Sequence, residues 1–185
     1  MLEFNNRGLL RETGKEHHML TQSGRSVDPF NLQPEDVVIE DIAHSLSRIC
    51  RYNGHVGGFL SVARHSIWVG DRLWDMTGCR ILALWGLLHD ATEAYFGDMA
   101  RPMKYRPEMQ FFRDAEDQAG RVIAEVFGLQ FPMPAEVHEA DHYVTIEREL
   151  KDERATWEST LEQDYKVFMA RFIFFSAYIR KENNV

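Results

Sequence analysis

The stretch "CRILALWGLLHDATEAYF", Cys79 to Phe96, decides the fold class. Its first half is apolar almost all round, as befits a helix inside a bundle rather than on its surface. Its second half carries His89, Asp90 and Glu93, with Asp98 just beyond. Leucines seek a core and carboxylates do not, because an unpaired buried charge is costly. A central helix that ends in acids is therefore expected to give them something to bind.

Outward from this stretch, helical spacing dominates. "EDVVIEDIAHSLSRIC" places Val38, Ile42, Leu46 and Ile49 on one helix face. Pro34, Glu35 and Asp36 suit a first helical turn, where a missing N–H costs nothing and acids meet the dipole. The glycines of "RYNGHVGG" break the pattern. "FLSVARHSIWVGDRLWDM" resumes it through Val62, Ile67, Val69 and Leu73. The opening stretch is the third helix, ended by Gly97, with Pro102 preventing early resumption. "RPEMQFFRDAEDQAGRVIAEVFG" predicts a fourth, closed by Gly128. "AEVHEADHYVTIERELKDERATW" and "LEQDYKVFMARFIFFSAYIRKE" predict a fifth and a sixth. Strand-period alternation is scarce and no repeat is visible. The expectation is an all-α, compact single-domain bundle of about five to seven helices. Residues 1–20 are read as a flexible polar arm and residues 21–185 as the domain.

A length of 185 residues favours one domain with a real core. Lys and Arg total 21 against 29 Asp and Glu, a net charge of −8. Such a surface opposes binding of a nucleic-acid polymer, which needs a basic patch. A small anion can still be held by a local cationic cluster or a metal. Cys50 and Cys79 form no Cys-x-x-Cys pair and no disulfide framework, as expected of thiols in a reducing cytosol. No apolar run reaches the ~18 residues of a membrane span, and the first 18 lack the apolar core of a signal peptide. A cytoplasmic protein without a membrane partner is the expectation.

Adjacent His89 and Asp90 can offer an imidazole nitrogen and a carboxylate oxygen to one cation. Such a dipeptide alone is commonly a surface pair, and a lone His65 or Asp141 is more often satisfied or solvated. Context raises the odds, because the pair ends an apolar helix. With His65 on the preceding helix and Asp141 on the fifth, a His, His-Asp, Asp set drawn from three helices becomes available. Glu93, four residues after His89, would share its face one turn on, and Asp98 could fold back past Gly97. Those acids suit proton handling beside a metal-activated water. His138 shares the face of Asp141, whereas His142 points elsewhere and is read as inert.

"SVARHS", "LLHDATEAYFGD", "RPMKY" and "EAD", in this order, resemble the HD-domain metal-dependent phosphohydrolases. The similarity is greatest to the small branch acting on deoxynucleotides, the bacterial 5′-deoxynucleotidases and the phage dATP triphosphohydrolases. "SGR" and "IEDIAHSLSRICRYNGH" look most like the phage group. The resemblance covers roughly residues 20 to 155. It implies metal ligation by His65, His89, Asp90 and Asp141, and catalytic roles for Glu93 and Asp98. It implies a phosphate contact for Arg51 and a base contact for Tyr52, where relatives often have Trp. Lys104 would be a second phosphate contact, with a solvated surface lysine the plain alternative. Gly54, near the implied base site, removes bulk that could reject a 2-amino group.

The implied activity is hydrolysis at the α-phosphate, with dATP, and dGTP beside it, giving deoxynucleoside and triphosphate. A 5′-deoxynucleotidase acting on monophosphates is the close alternative. A non-catalytic helical module with a structural metal is the contrasting one. The implied cofactor is one divalent ion (Zn, Mn, Co or Mg), with a second metal an option alongside the substrate phosphates. A homo-oligomer is the implied assembly.

Overall fold

In the computed structural model, which describes residues 15–151 and 160–177, the chain enters through a two-stranded antiparallel ribbon. β1 (Met19–Leu20) pairs with β2 (Ser26–Val27), and Gly24 turns between them at φ 85°. Met19 packs against the core. Met19 and Leu20, at the end of the expected arm, are thus paired with β2; residues 1–14 of that arm lie outside the described residues. Asp41 locks the ribbon down by accepting hydrogen bonds from the Ser23 backbone N–H and hydroxyl, each at 2.7 Å.

The rest is helical. Pro34–Asp36 forms a short 3₁₀ turn before α1 (Ile39–Leu46), which starts later than the expected first helix. α2 (Val62–Thr77) begins at Ser61, whose hydroxyl caps the Arg64 N–H and donates to the buried Asp164 at 2.6 Å. α3 (Arg80–Leu88) is buried at every position from Ala83 to Leu88. There follow α4 (Glu93–Phe96), α5 (Arg101–Lys104), α6 (Gln110–Val126), α7 (Ala135–Val144) and α8 (Leu161–Ser176). A π-helical segment, Thr145–Leu150, continues α7 without interruption. The fifth and sixth helices were expected to run on through residues 152–157 and 178–182, which lie outside the described residues.

Two expectations are corrected in the middle of the chain. The third helix does not run from Cys79 to Phe96 but stops at Leu88. Beyond it the backbone tightens, with Ala91 N–H donating to Leu88 O and Glu93 N–H to Asp90 O, three residues back instead of four. Pro102 does not block the helix; it occupies the first turn of α5, where a missing N–H is harmless.

α2 packs against α3, α7 and α8. The α2–α3 crossing is made close by a pair of glycines. A Cβ on Gly86 would stand 2.6 Å from Leu73 Cδ1 and 3.0 Å from Gly70 Cα. No described helix is long and apolar enough to cross a membrane. The all-α expectation is met by this bundle.

Candidate functional site

The close α2–α3 crossing brings His65 and His89 together. His65 is fully buried near the start of α2, and His89 caps the end of α3. Their Nε2 atoms lie 3.2 Å apart. Asp141 of α7 places Oδ1 2.9 Å from His65 Nε2 and 3.9 Å from His89 Nε2. Asp90 places Oδ2 3.1 Å from His89 Nε2 and 3.8 Å from His65 Nε2.

The other ring nitrogens are occupied. His89 Nδ1 donates to Gly86 O at 2.7 Å, and His65 Nδ1 to Glu149 Oε1 at 2.6 Å. With Nδ1 holding the proton, each ring turns its Nε2 lone pair into the cluster. Carboxylate or carbonyl acceptors behind histidines are the usual support of a metal site. A cation between them would relieve lone pairs that face lone pairs at these distances. Bonds of about 2.1 Å place neighbouring ligands roughly 3 Å apart, close to the spacing seen. His65, His89 and Asp141 form a group that could hold a metal ion, and the donor set of nitrogen and carboxylate oxygen fits one.

Without a metal, protons must serve instead. Burial opposes charge on His89, but Asp90, and then Asp141, outweigh it and raise its pKa to about 9. Burial raises the Asp90 carboxyl, yet His89, His65 and Arg51 more than reverse this and hold it below the usual range. Asp141 is likewise lowered, because its hydrogen bond from His65 and the charge of His89 overcome its burial.

Beside the cluster opens a cleft of about 430 Å³ lined by Arg51, Tyr52, Asp90, Glu93, Asp98, Lys104 and Asp141, among others. Glu93 is nearly buried and its Oε2 has no hydrogen-bond partner. Burial, then the charges of Asp90 and Asp98, raise its pKa well above the usual carboxylate value. Asp98 is also raised, by burial first and then by Asp90. Two acids with raised pKa values thus line the cleft beside the candidate cation site. Lys104 stands in the wall with its Nζ 2.6 Å from Glu116 Oε2. His142 borders the cleft together with His138, contrary to its expected outward direction, because both lie on the α7 wall beside Asp141.

The expected residues thus converge, with one exception. Gly54 is exposed and does not line the cleft. Its backbone sits at φ 75°, after Tyr52 at 56° and Asn53 at 51°. Three successive left-handed residues make a sharp turn, and glycine is the residue that adopts this region without strain. Each of the other two costs on the order of 1–3 kcal/mol. The turn is held by Tyr52, whose hydroxyl donates to Glu149 Oε2 at 2.6 Å, and by Arg51 N–H donating to Leu60 O at 2.9 Å.

Glu149, absent from the sequence reading, is the hub. It is buried and accepts from His65 Nδ1, Tyr52 Oη and, at 3.2 Å, Arg51 Nε. Burial raises its carboxyl, but His65 and Arg51 outweigh it and keep it ionised below the usual range. It comes from the π-helical segment, a rare conformation that often accompanies function.

Among known proteins, no family model matches the chain. It is similar to the uncharacterized protein YfdR of Escherichia coli (strain K12), 37% identical over 121 residues, 65% of this chain. The match spans 64% of YfdR, just under two thirds of its length. It is also similar to the uncharacterized protein RCAP_rcc00048 of Rhodobacter capsulatus, 34% identical over 148 residues, 77% of this chain and 74% of that protein.

Proposed function

The chain belongs to the same protein family as RCAP_rcc00048 of Rhodobacter capsulatus, and from the site this member carries we propose a metal-dependent phosphohydrolase that cleaves deoxynucleotides at the α-phosphate. The observation that carries the reading is the crowding of two imidazole Nε2 atoms and two carboxylate oxygens beside a cleft lined by the acids Glu93 and Asp98. His65, His89, Asp90 and Asp141 would hold a divalent cation (Zn, Mn, Co or Mg), which when bound would supply Lewis acidity to a phosphate oxygen and to water. Arg51, tied at Nε to Glu149 and lining the cleft, offsets charge on the phosphoryl group. Attack of water on the α-phosphorus forms one P–O bond and breaks the bond to the 5′-oxygen. Glu93, ionised once a bound cation offsets the charge of Asp90, would take the proton from the attacking water, and Asp98 in its protonated form would give one to the departing 5′-oxygen.

The first substrate is dATP, giving deoxyadenosine and triphosphate. The lining charges favour a second reading, a 5′-deoxynucleotidase. Four carboxylates, Asp90, Glu93, Asp98 and Asp141, share the cleft with Arg51, Arg101 and Lys104. Arg51 is already paired with Glu149, and Lys104 with Glu116. That balance suits a monophosphate dianion better than a triphosphate.

The test is incubation of the protein with Mn, Co or Mg and a panel of dNTPs and dNMPs, followed by chromatography of the products. Nucleoside release is expected, and the panel separates the two substrate classes. Glu93→Ala is expected to abolish release while metal still binds. If wild-type protein binds metal but frees nucleoside from neither class, the hydrolase reading fails in favour of a module with a structural metal.

A further inference from the structure

Behind the metal cluster, α2, α7 with its π-helical extension, and α8 enclose a second groove of about 600 Å³. Four arginines line it: Arg64, Arg72, Arg148 and Arg171. Two have their donor edges occupied, Arg64 by Asp164 and Arg171 by Asp71. The other two are held differently. Arg72 lies over the Tyr143 ring at 3.3 Å and Arg148 over the Trp68 ring at 4.1 Å. Stacking uses the face of a guanidinium and leaves its in-plane N–H donors available. Neither has a carboxylate partner within ion-pair distance among the described residues, and Arg72 Nε is buried with no hydrogen-bond acceptor. The acids bordering the groove do not change this: Asp71 is taken by Arg171 and Glu147 by Lys151, and Asp75 ion-pairs with neither stacked arginine. Burial, and then the neighbouring Arg64, push Arg148 below the usual arginine value, and a bound anion would offset both.

We propose that this groove is a binding site for a phosphate-bearing small anion, gripped by the free edges of Arg72 and Arg148. Planar forks on aromatic shelves suit the bidentate geometry of phosphate oxygens. The site is separate from the catalytic cleft, and the proposal does not rest on the hydrolase reading.

The probe is inorganic pyrophosphate, titrated by calorimetry into the full chain in EDTA so that no metal contributes. One saturable site is expected. R72Q/R148Q should weaken it about tenfold or more, because both substitutions lose charge-assisted hydrogen bonds to the anion. R51Q, in the catalytic cleft, should change it by less than about twofold. R72K/R148K, which keeps the charge and loses the fork, should recover part of the affinity. No saturable binding up to about 1 mM, or equal affinity in R72Q/R148Q and wild type, overturns the proposal. A measurement without variants guards against misfolding. Pyrophosphate should protect Arg72 and Arg148 of the wild-type chain from phenylglyoxal, read by mass spectrometry; unchanged modification at both positions overturns it. Parallel titrations with dAMP and dATP identify the source of the phosphate. Tighter binding than pyrophosphate assigns a nucleotide, and weaker binding an inorganic anion.

Discussion

Glu149 shows how much of the site depends on one side chain that ligates nothing. It fixes the His65 ring, restrains Arg51 and anchors the strained Tyr52 turn. Glu149→Gln should therefore retain the helical circular-dichroism spectrum and lose metal affinity by about 10–100-fold; unchanged affinity would count against the role. A second prediction concerns His89. Its folded pKa, about 9, lies above the ordinary histidine value of 6.5. In metal-free protein its pairing with Asp90 and Asp141 contributes stability that is full below the unfolded value and is lost as pH rises through about 9. Metal must displace that proton, so binding near pH 7 should release protons and tighten as pH rises toward 9. Calorimetry in buffers of different ionisation enthalpy measures the release, and none would contradict the assignment. The convergence of His65, His89, Asp90 and Asp141 was legible because they stand in three short motifs, His89 and Asp90 together in one. Glu149 was not. Eight positions past Asp141 on a regular helix it would point roughly 80° away, and only the π-helical offset brings it to His65. Gly54 misled in the opposite direction, since its residue type answers a backbone demand and not a ligand.

At the scale of elements, the α2–α3 crossing positions the two histidines, and Gly70 and Gly86 permit it. Gly86→Ala would force Leu73 aside or spread the helices, and overpacking of this kind costs about 1–3 kcal/mol. The denaturation midpoint should fall at constant m-value, with metal affinity falling in parallel. An unshifted midpoint would mean that Leu73 yields freely. Helix positions were legible wherever an apolar face repeated, as in α2 and α6. The break after Leu88 was not, because Ala91, Ala94 and Tyr95 continue an apolar pattern across it. What interrupts the helix is a tighter set of backbone hydrogen bonds, and these leave no mark on apolar spacing.

For the whole molecule, the candidate metal centre joins α2, the end of α3 and α7, so a bound ion should stabilise the entire bundle. A free concentration of 100 times Kd adds about 2.7 kcal/mol, worth roughly 5–10 °C in Tm for a chain of this size. His65→Ala should remove that shift; a shift that persists would place the ion elsewhere. The all-α class was legible because helical periodicity runs through the chain and apolar alternation does not. The ribbon was missed because two residues per strand are too few to show a period. One geometric detail bears on the behaviour of the whole. Asp141 and Glu149 belong to a single unbroken rod, and they clasp opposite nitrogens of the same imidazole. A slide of that rod by one residue's rise, about 1.5 Å, would release both together. Both contacts on His65 thus hang on one helical register, and a change in that register would alter the two together.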